Sequence, residues 1–201
     1  MTSMTLAQAV WPRQTENRAA LGRDTFLVTV GSLLTAMMAQ VTIHLPLVPI
    51  TGQTFTVLLT GALLGPRLGM AAMLLYLAEG LTGLPVFAEG HSAWSMSALP
   101  GVPTILGPTA GYLISYPFAA GLIGWLATRG WDRKPLLMLT AMLLGSVVIY
   151  TFGTLNLAHF VGLNHAFKLG VLPFLPGDAL KALMAAGLLP AGWKLLGERR
   201  G

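Results

Sequence analysis

Residues 25–44, 107–127 and 136–160 contain no lysine, arginine, aspartate or glutamate. Each run is about the 20 residues needed to cross a ~30 Å hydrocarbon core. A chain with several such runs must pair its backbone polar groups internally within lipid, which restricts it to helices or a closed barrel. A barrel would alternate apolar and polar residues along each strand, and no such alternation is present. The reading is therefore a polytopic helical membrane protein. Composition agrees: of 201 residues, 54% are hydrophobic and 9% charged, against about 25% charged in an average soluble domain. The net charge of +5 comes from dispersed basic residues with no run longer than a pair, which argues against nucleic acid as a partner. With no cysteine, disulfide and thiol chemistry are excluded. Residues 1–24 carry Arg13, Arg18 and Arg23 and lack the apolar stretch of a cleaved signal peptide. They are expected to form a polar tail ahead of a retained first span.

The fourth clear span is 176–196. The region 54–87 is interrupted by "GPR" at 65–67. As one helix it would bring Arg67 near mid-bilayer, at a cost of about 2.5–3.5 kcal/mol or more. As two, Gly65 ends one helix and Pro66 opens the next. Charge decides for two: with six spans and a cytoplasmic N-terminus, ten of the 12 basic residues lie inside, as the positive-inside rule requires. The expected fold is an all-α integral membrane bundle of six transmembrane helices over 25–196. Both termini are cytoplasmic, in tails 1–24 and 197–201, and the cell membrane is the site. Trp125, Trp131 and Trp193 read as interfacial anchors at inner helix ends. The inner connections, 65–67 and 128–135, are short and charged. The outer ones, 45–53, 82–106 and 161–175, are long, rich in proline and glycine, and still apolar. Loops of that kind are usually functional, and these are expected to fold over a ligand pocket at the outer mouth of the bundle.

"PGDALK" sets Asp178 and Lys181 at the outer start of the last span. At i and i+3 they share one helix face, and ionisable groups within a span are by default functional. They are the leading candidates to hold a polar ligand, with a helix-start aspartate and a neighbouring lysine solvated at the interface as the alternative. Glu79 lies near the outer end of the third span, with an interfacial location as the alternative. Thr51 and Gln53, beside Gly52, offer hydrogen-bonding groups in the first outer loop, either to a ligand or to a helix start. Tyr112 and Tyr116 share a face of the fourth span, as a core-packing stripe would, and Tyr112, near the outer end, is the one that could instead contact a ligand. The four histidines have no metal-ligand spacing, so no metal site is expected. No phosphate-binding G-x-x-x-x-G-K-[ST] loop occurs, so the chain carries no ATPase of its own. No nucleophile–base element marks an enzyme. Gly31, Thr35 and Ala39 recur every four residues on the first span, with Ala36 alongside. Such small residues admit a close helix, whether within the bundle or from a docking partner.

Three stretches in order, "PITGQTFTVLLTGALLGPRLGMAAMLLYLAEGLTGLPVF", "LGPTAGYLISYPFAAGLIG" and "PFLPGDALKALMAAGL", resemble the biotin-specific substrate-binding component, the BioY family, of energy-coupling factor transporters. The resemblance spans roughly 46–190. It implies a six-helix S component that captures biotin from outside and no cofactor bound by this chain. It also implies a transmembrane T component and a pair of ABC-type ATPases as partners, with ATP consumed by the latter. The acidic and basic residues of the family's "PGD-x-x-K" element correspond to Asp178 and Lys181. After "PVFA" the family often has small residues; Glu89 and His91 stand here instead, so no ligand contact is carried over to that loop. Biotin suits such a site: its ureido ring has two N–H donors and a carbonyl, its thiophane ring is apolar, and its valerate ends in a carboxylate. Asp178 can accept from the ureido ring, Lys181 can pair with the valerate or orient Asp178, and Leu84, Val86, Phe87 and Tyr112 can form the apolar wall. The rival reading is a proton-coupled secondary transporter with Asp178 as the titrating group. Self-association is left open.

Overall fold

The computed structural model describes residues 4–13 and 17–198. Arg199 and Arg200, counted among the inner basic residues, lie outside the described residues. The fold is helical. A short helix α1 (Leu6–Val10) precedes α2 (Asn17–Ala39), a two-stranded hairpin of β1 (Thr42–Ile43) and β2 (Ile50–Thr51), α3 (Gln53–Leu64) and α4 (Pro66–Leu81). A long loop with two single 3₁₀ turns leads to α5 (Ala110–Ala127). Then come α6 (Pro135–Val161), the short α7 (Leu163–Gly170) and α8 (Leu175–Glu198). By length and composition α5, α6 and α8 can each cross a membrane; α3 is apolar but short.

The break in 54–87 is where the sequence places it. Gly65 has φ 85°, a left-handed value that glycine adopts without a Cβ clash. Its N–H closes α3 on Gly61 O at 2.9 Å, and Pro66 occupies the first turn of α4, where a missing N–H costs nothing. The turn is tight because three glycines let backbones touch. A Cβ at Gly61 would strike the Ala120 backbone, one at Gly69 the Gly61 Cα, and one at Gly124 the Gly65 carbonyl carbon. So α3, α4 and α5 pack almost backbone to backbone, and α5, buried along most of its length, becomes the centre of the bundle against α3, α4 and α6.

Several boundaries differ from the expected ones. The first long helix begins at Asn17, within the expected tail, and ends at Ala39, because residues 42–51 turn back as the hairpin, with Thr42 paired to Thr51 and Ile43 to Ile50. Ahead of it α1 has a capping box, Thr5 and Gln8 bonding reciprocally. Arg23, 3% exposed, ties this segment down by donating to Trp11 O at 2.8 Å and Ala7 O at 3.3 Å. An arginine readable as interfacial charge thus serves as a buried strap. The segment 161–175 holds the amphipathic α7 rather than an irregular loop.

The hairpin, the 82–109 loop and α7 all gather at one end of the bundle. At the opposite end Arg129 lies over the Trp125 ring at 3.5 Å and Arg133 over the Trp193 ring at 4.4 Å. There Trp193 Nε1 also donates to the buried Asp132 carboxylate at 2.6 Å, which ties α8 to the connection before α6. Trp193 is therefore a structural lock as well as an aromatic at a helix end.

Candidate ligand-binding site

A cavity of about 460 Å³ opens at the loop end. Its rim comes from the hairpin and the long loop. Its walls come from the first residues of α3, from α5, from α6 and from Phe174 just before α8. The apolar girdle includes Val48, Phe87, Leu113, Ile149 and Phe174, all buried. Tyr112 belongs to it as well: its ring stacks on Phe174 with centroids 6.3 Å apart, and its hydroxyl donates to Gly170 O at 2.8 Å. The absence of side chains at Gly153 and Gly170 makes room for that phenol.

The polar part of the wall is bonded away from the cavity. Gln53, 4% exposed, accepts at Oε1 from Thr51 Oγ1 (2.9 Å) and Tyr116 Oη (3.2 Å). It donates from Nε2 to Tyr76 Oη at 2.5 Å, and Tyr76 donates on to Val86 O at 3.0 Å. Phe87 closes this corner edge-on to Tyr76. The nearby wall residues Thr54 and Tyr150 lead to the charged pair. Tyr150 Oη donates to Asp178 Oδ2 at 2.5 Å, and Thr54 Oγ1 to Asp178 Oδ1 at 3.2 Å.

Asp178 and Lys181 do form an ion pair, 2.7 Å between Nζ and Oδ1, with side chains 8% and 19% exposed. Neither lines the large cavity. They stand one layer behind it, screened by Thr54 and Tyr150. An ammonium has three N–H donors, and Lys181 uses them on Asp178 Oδ1, Thr54 Oγ1 (2.7 Å) and Thr51 O (2.9 Å). The pair thereby fastens α8 to the start of α3. Two charges out of water persist only with such dense satisfaction of their remaining hydrogen-bonding capacity.

Of the other candidates, Thr51, Gln53, Phe87 and Tyr112 line the cavity, and Leu84 and Val86 do not. Glu79 is elsewhere: it faces α2 and accepts from Ser32 Oγ at 2.5 Å. Gly31, Thr35 and Ala39 point into the bundle. Thr35 and Ala39 are fully buried, and a Cβ on Gly31 would lie 2.8 Å from Thr60 Cγ2. Only Ala36 of that group is partly open. Sequence reasoning did not select Thr54, Tyr150 or Phe174. A single tyrosine within the uncharged run 136–160 was the available signal for Tyr150.

A sequence model of the BioY family matches residues 12–198. A protein of Pyrococcus horikoshii described as a probable biotin transporter BioY is 42% identical over 163 residues, covering 81% of this chain and 91% of that protein. The biotin transporter BioY of Rhizobium etli is 35% identical over 189 residues, covering 83% and 96%. Among solved structures, the S component for biotin from an ECF-type ABC transporter superposes with a TM-score of 0.71 at 23% identity, over 90% of this chain and 95% of that one. At that identity the likeness speaks for the fold.

Proposed function

The chain belongs to the BioY family, and from that premise we propose that it captures biotin and carries it into the cell as the S component of an ATP-driven energy-coupling factor transporter. The observation that carries the reading is the cavity: about 460 Å³, within the range of small-molecule sites, with an apolar girdle and one polar wall. Hydroxyls whose protons are already committed present lone pairs. Tyr150 Oη and Thr54 Oγ1, both bonded to Asp178, are acceptors for the ureido N–H groups, and hydrogen bonding to a carboxylate strengthens them. The second N–H of Gln53 Nε2 suits the ureido carbonyl. Phe87, Tyr112 and Phe174 suit the thiophane ring. In this reading Asp178 and Lys181 set the polarity of the wall rather than enclosing the ligand themselves.

The accompanying topology is six membrane spans, α2 to α6 and α8, in a cytoplasmic membrane with both termini inside and the cavity facing out. Arg67, Arg129, Arg133, Lys134 and Lys194 all sit at the end away from the cavity, which supports that orientation. A T component and two ATPases supply the energy. Since Gly31, Thr35 and Ala39 are engaged inside the bundle, docking on α2 falls to Ala36 and the open face of Phe26, Val30, Leu33, Leu34 and Met37. Mass spectrometry of small molecules retained by the detergent-purified protein, followed by biotin titration, tests the proposal. Saturable one-to-one binding of biotin is expected; no binding of biotin would refute it.

A further inference from the structure

The cavity wall carries three ionisable residues other than tyrosines among the described residues: His44, Glu89 and His91. All three lie at the rim, on the hairpin loop and the long loop. The polar inner wall is neutral, and the nearest cation behind it, Lys181, has its three donors bound to protein acceptors. A ligand with a carboxylate therefore finds no free cationic donor at the inner end.

At the rim two of the three groups satisfy each other. His44 Nδ1 lies 2.6 Å from Glu89 Oε1. Glu89 reaches it from a left-handed backbone, φ 61° and ψ 23°, the one non-glycine residue with positive φ among the described residues. Its turn is braced from both sides: Phe87 N–H donates to His91 O at 2.8 Å, His91 N–H to Ala88 O at 3.1 Å, and Gln40 Nε2 to Phe87 O at 3.1 Å. A strained residue held this firmly points to use. Among the described residues, the arrangement commits the only wall carboxylate to the hairpin and leaves the half-buried His91 imidazole without a side-chain hydrogen bond.

We infer that His91 binds the carboxylate end of the ligand at the mouth of the cavity, an assignment that rests on biotin being that ligand. The ureido ring lies inward against Tyr150 and Thr54, and the valerate runs outward past Phe87. An imidazole N–H donates to a carboxylate in either protonation state, and the bond is of the stronger, charge-assisted kind. Glu89 would repel that carboxylate if it turned inward, so His44, 2.6 Å from Glu89 Oε1, serves as a positioning residue that holds it on the hairpin.

The test is titration of the purified full-length protein, wild type and variants, with biotin and with biotin amide, which has no charge on its side chain. Wild-type binding of biotin establishes the premise; its absence overturns premise and assignment together. With binding present, His91→Ala is expected to weaken biotin about tenfold and the amide less than twofold, the amide serving also as the check that the variant is folded. Lys181→Met is expected to weaken both ligands alike. Equal losses for the two ligands in His91→Ala, or no loss for either, would overturn the assignment, as would a Lys181→Met protein that no longer discriminates biotin from its amide.

Discussion

Lys181 illustrates how a charge can matter to a site without touching its contents. Its ammonium is consumed by Asp178, Thr54 and Thr51, so replacing it acts through the wall. Asp178→Asn and Lys181→Met are each expected to weaken biotin at least tenfold, about 1.4 kcal/mol, because removing one partner leaves the other charge covered and poorly compensated. Calorimetric titration in detergent measures it. Tyr150→Phe is expected to cost a similar factor: it deletes both the acceptor offered to the ligand and the donor to Asp178 Oδ2. Wild-type affinity in Tyr150→Phe would remove this residue from the site. At this scale the sequence was partly readable. The i, i+3 spacing puts Asp178 and Lys181 on one helix face, and "TGQ" at 51–53 offers hydrogen-bonding groups in the first outer loop. That the pair lies behind Thr54 and Tyr150 depends on contacts 124 and 28 positions apart in the chain, which no local pattern encodes. Glu79 had the same difficulty, since only the packing of α2 against α4 decides which way its face of the helix turns.

Among the elements, α3, α4 and α5 depend on missing side chains. Gly61→Leu must push the Ala120 backbone away, so overpacking of about 1–3 kcal/mol or more is expected, seen as a lower melting temperature in detergent. Ala39→Leu on α2 is expected to do the same, since Ala39 is fully buried; a change at Met37 on the open face should leave the isolated protein's stability alone. The Trp193–Asp132 lock predicts a pH effect. Burial raises the Asp132 carboxyl above its ordinary value of 3.8, opposed by the Trp193 hydrogen bond and the Arg133 charge. The folded protein then holds a proton at pH values where the unfolded chain has lost it, so this group's contribution to stability falls as pH rises from 3.8 through the raised value. Asp132→Asn is expected to flatten that part of the melting-temperature profile; an unchanged slope would assign it to other groups. The long uncharged helices and the break at Gly65–Pro66 were legible because membrane length and glycine–proline chemistry are local signals. The hairpin at 42–51 and α7 were not: two-residue strands and an eight-residue helix gain their stability from the bundle they cover.

For the whole molecule, the asymmetry between its ends is what topology must explain. The chain lacks cysteine, so single cysteines report cleanly. Leu84→Cys, on the exposed long loop, and Lys134→Cys, on the connection before α6, are expected to react with a membrane-impermeant maleimide from opposite sides of intact cells, Leu84→Cys from outside. Labelling of both from one side would end the six-span arrangement. The outward bracing of the cavity wall has a consequence for timing. Thr51, Thr54, Tyr112, Tyr116 and Tyr150 are already held by the scaffold behind them, so a guest arrives in a chamber that needs little rebuilding. A rigid chamber is quick to fill and, by the same token, has no inexpensive motion by which to let go. Residence should be long, and discharge into the cell should depend on outside work that pulls α8 from the end of β2 and the first turn of α3, where Lys181 grips Thr51 and Thr54 respectively.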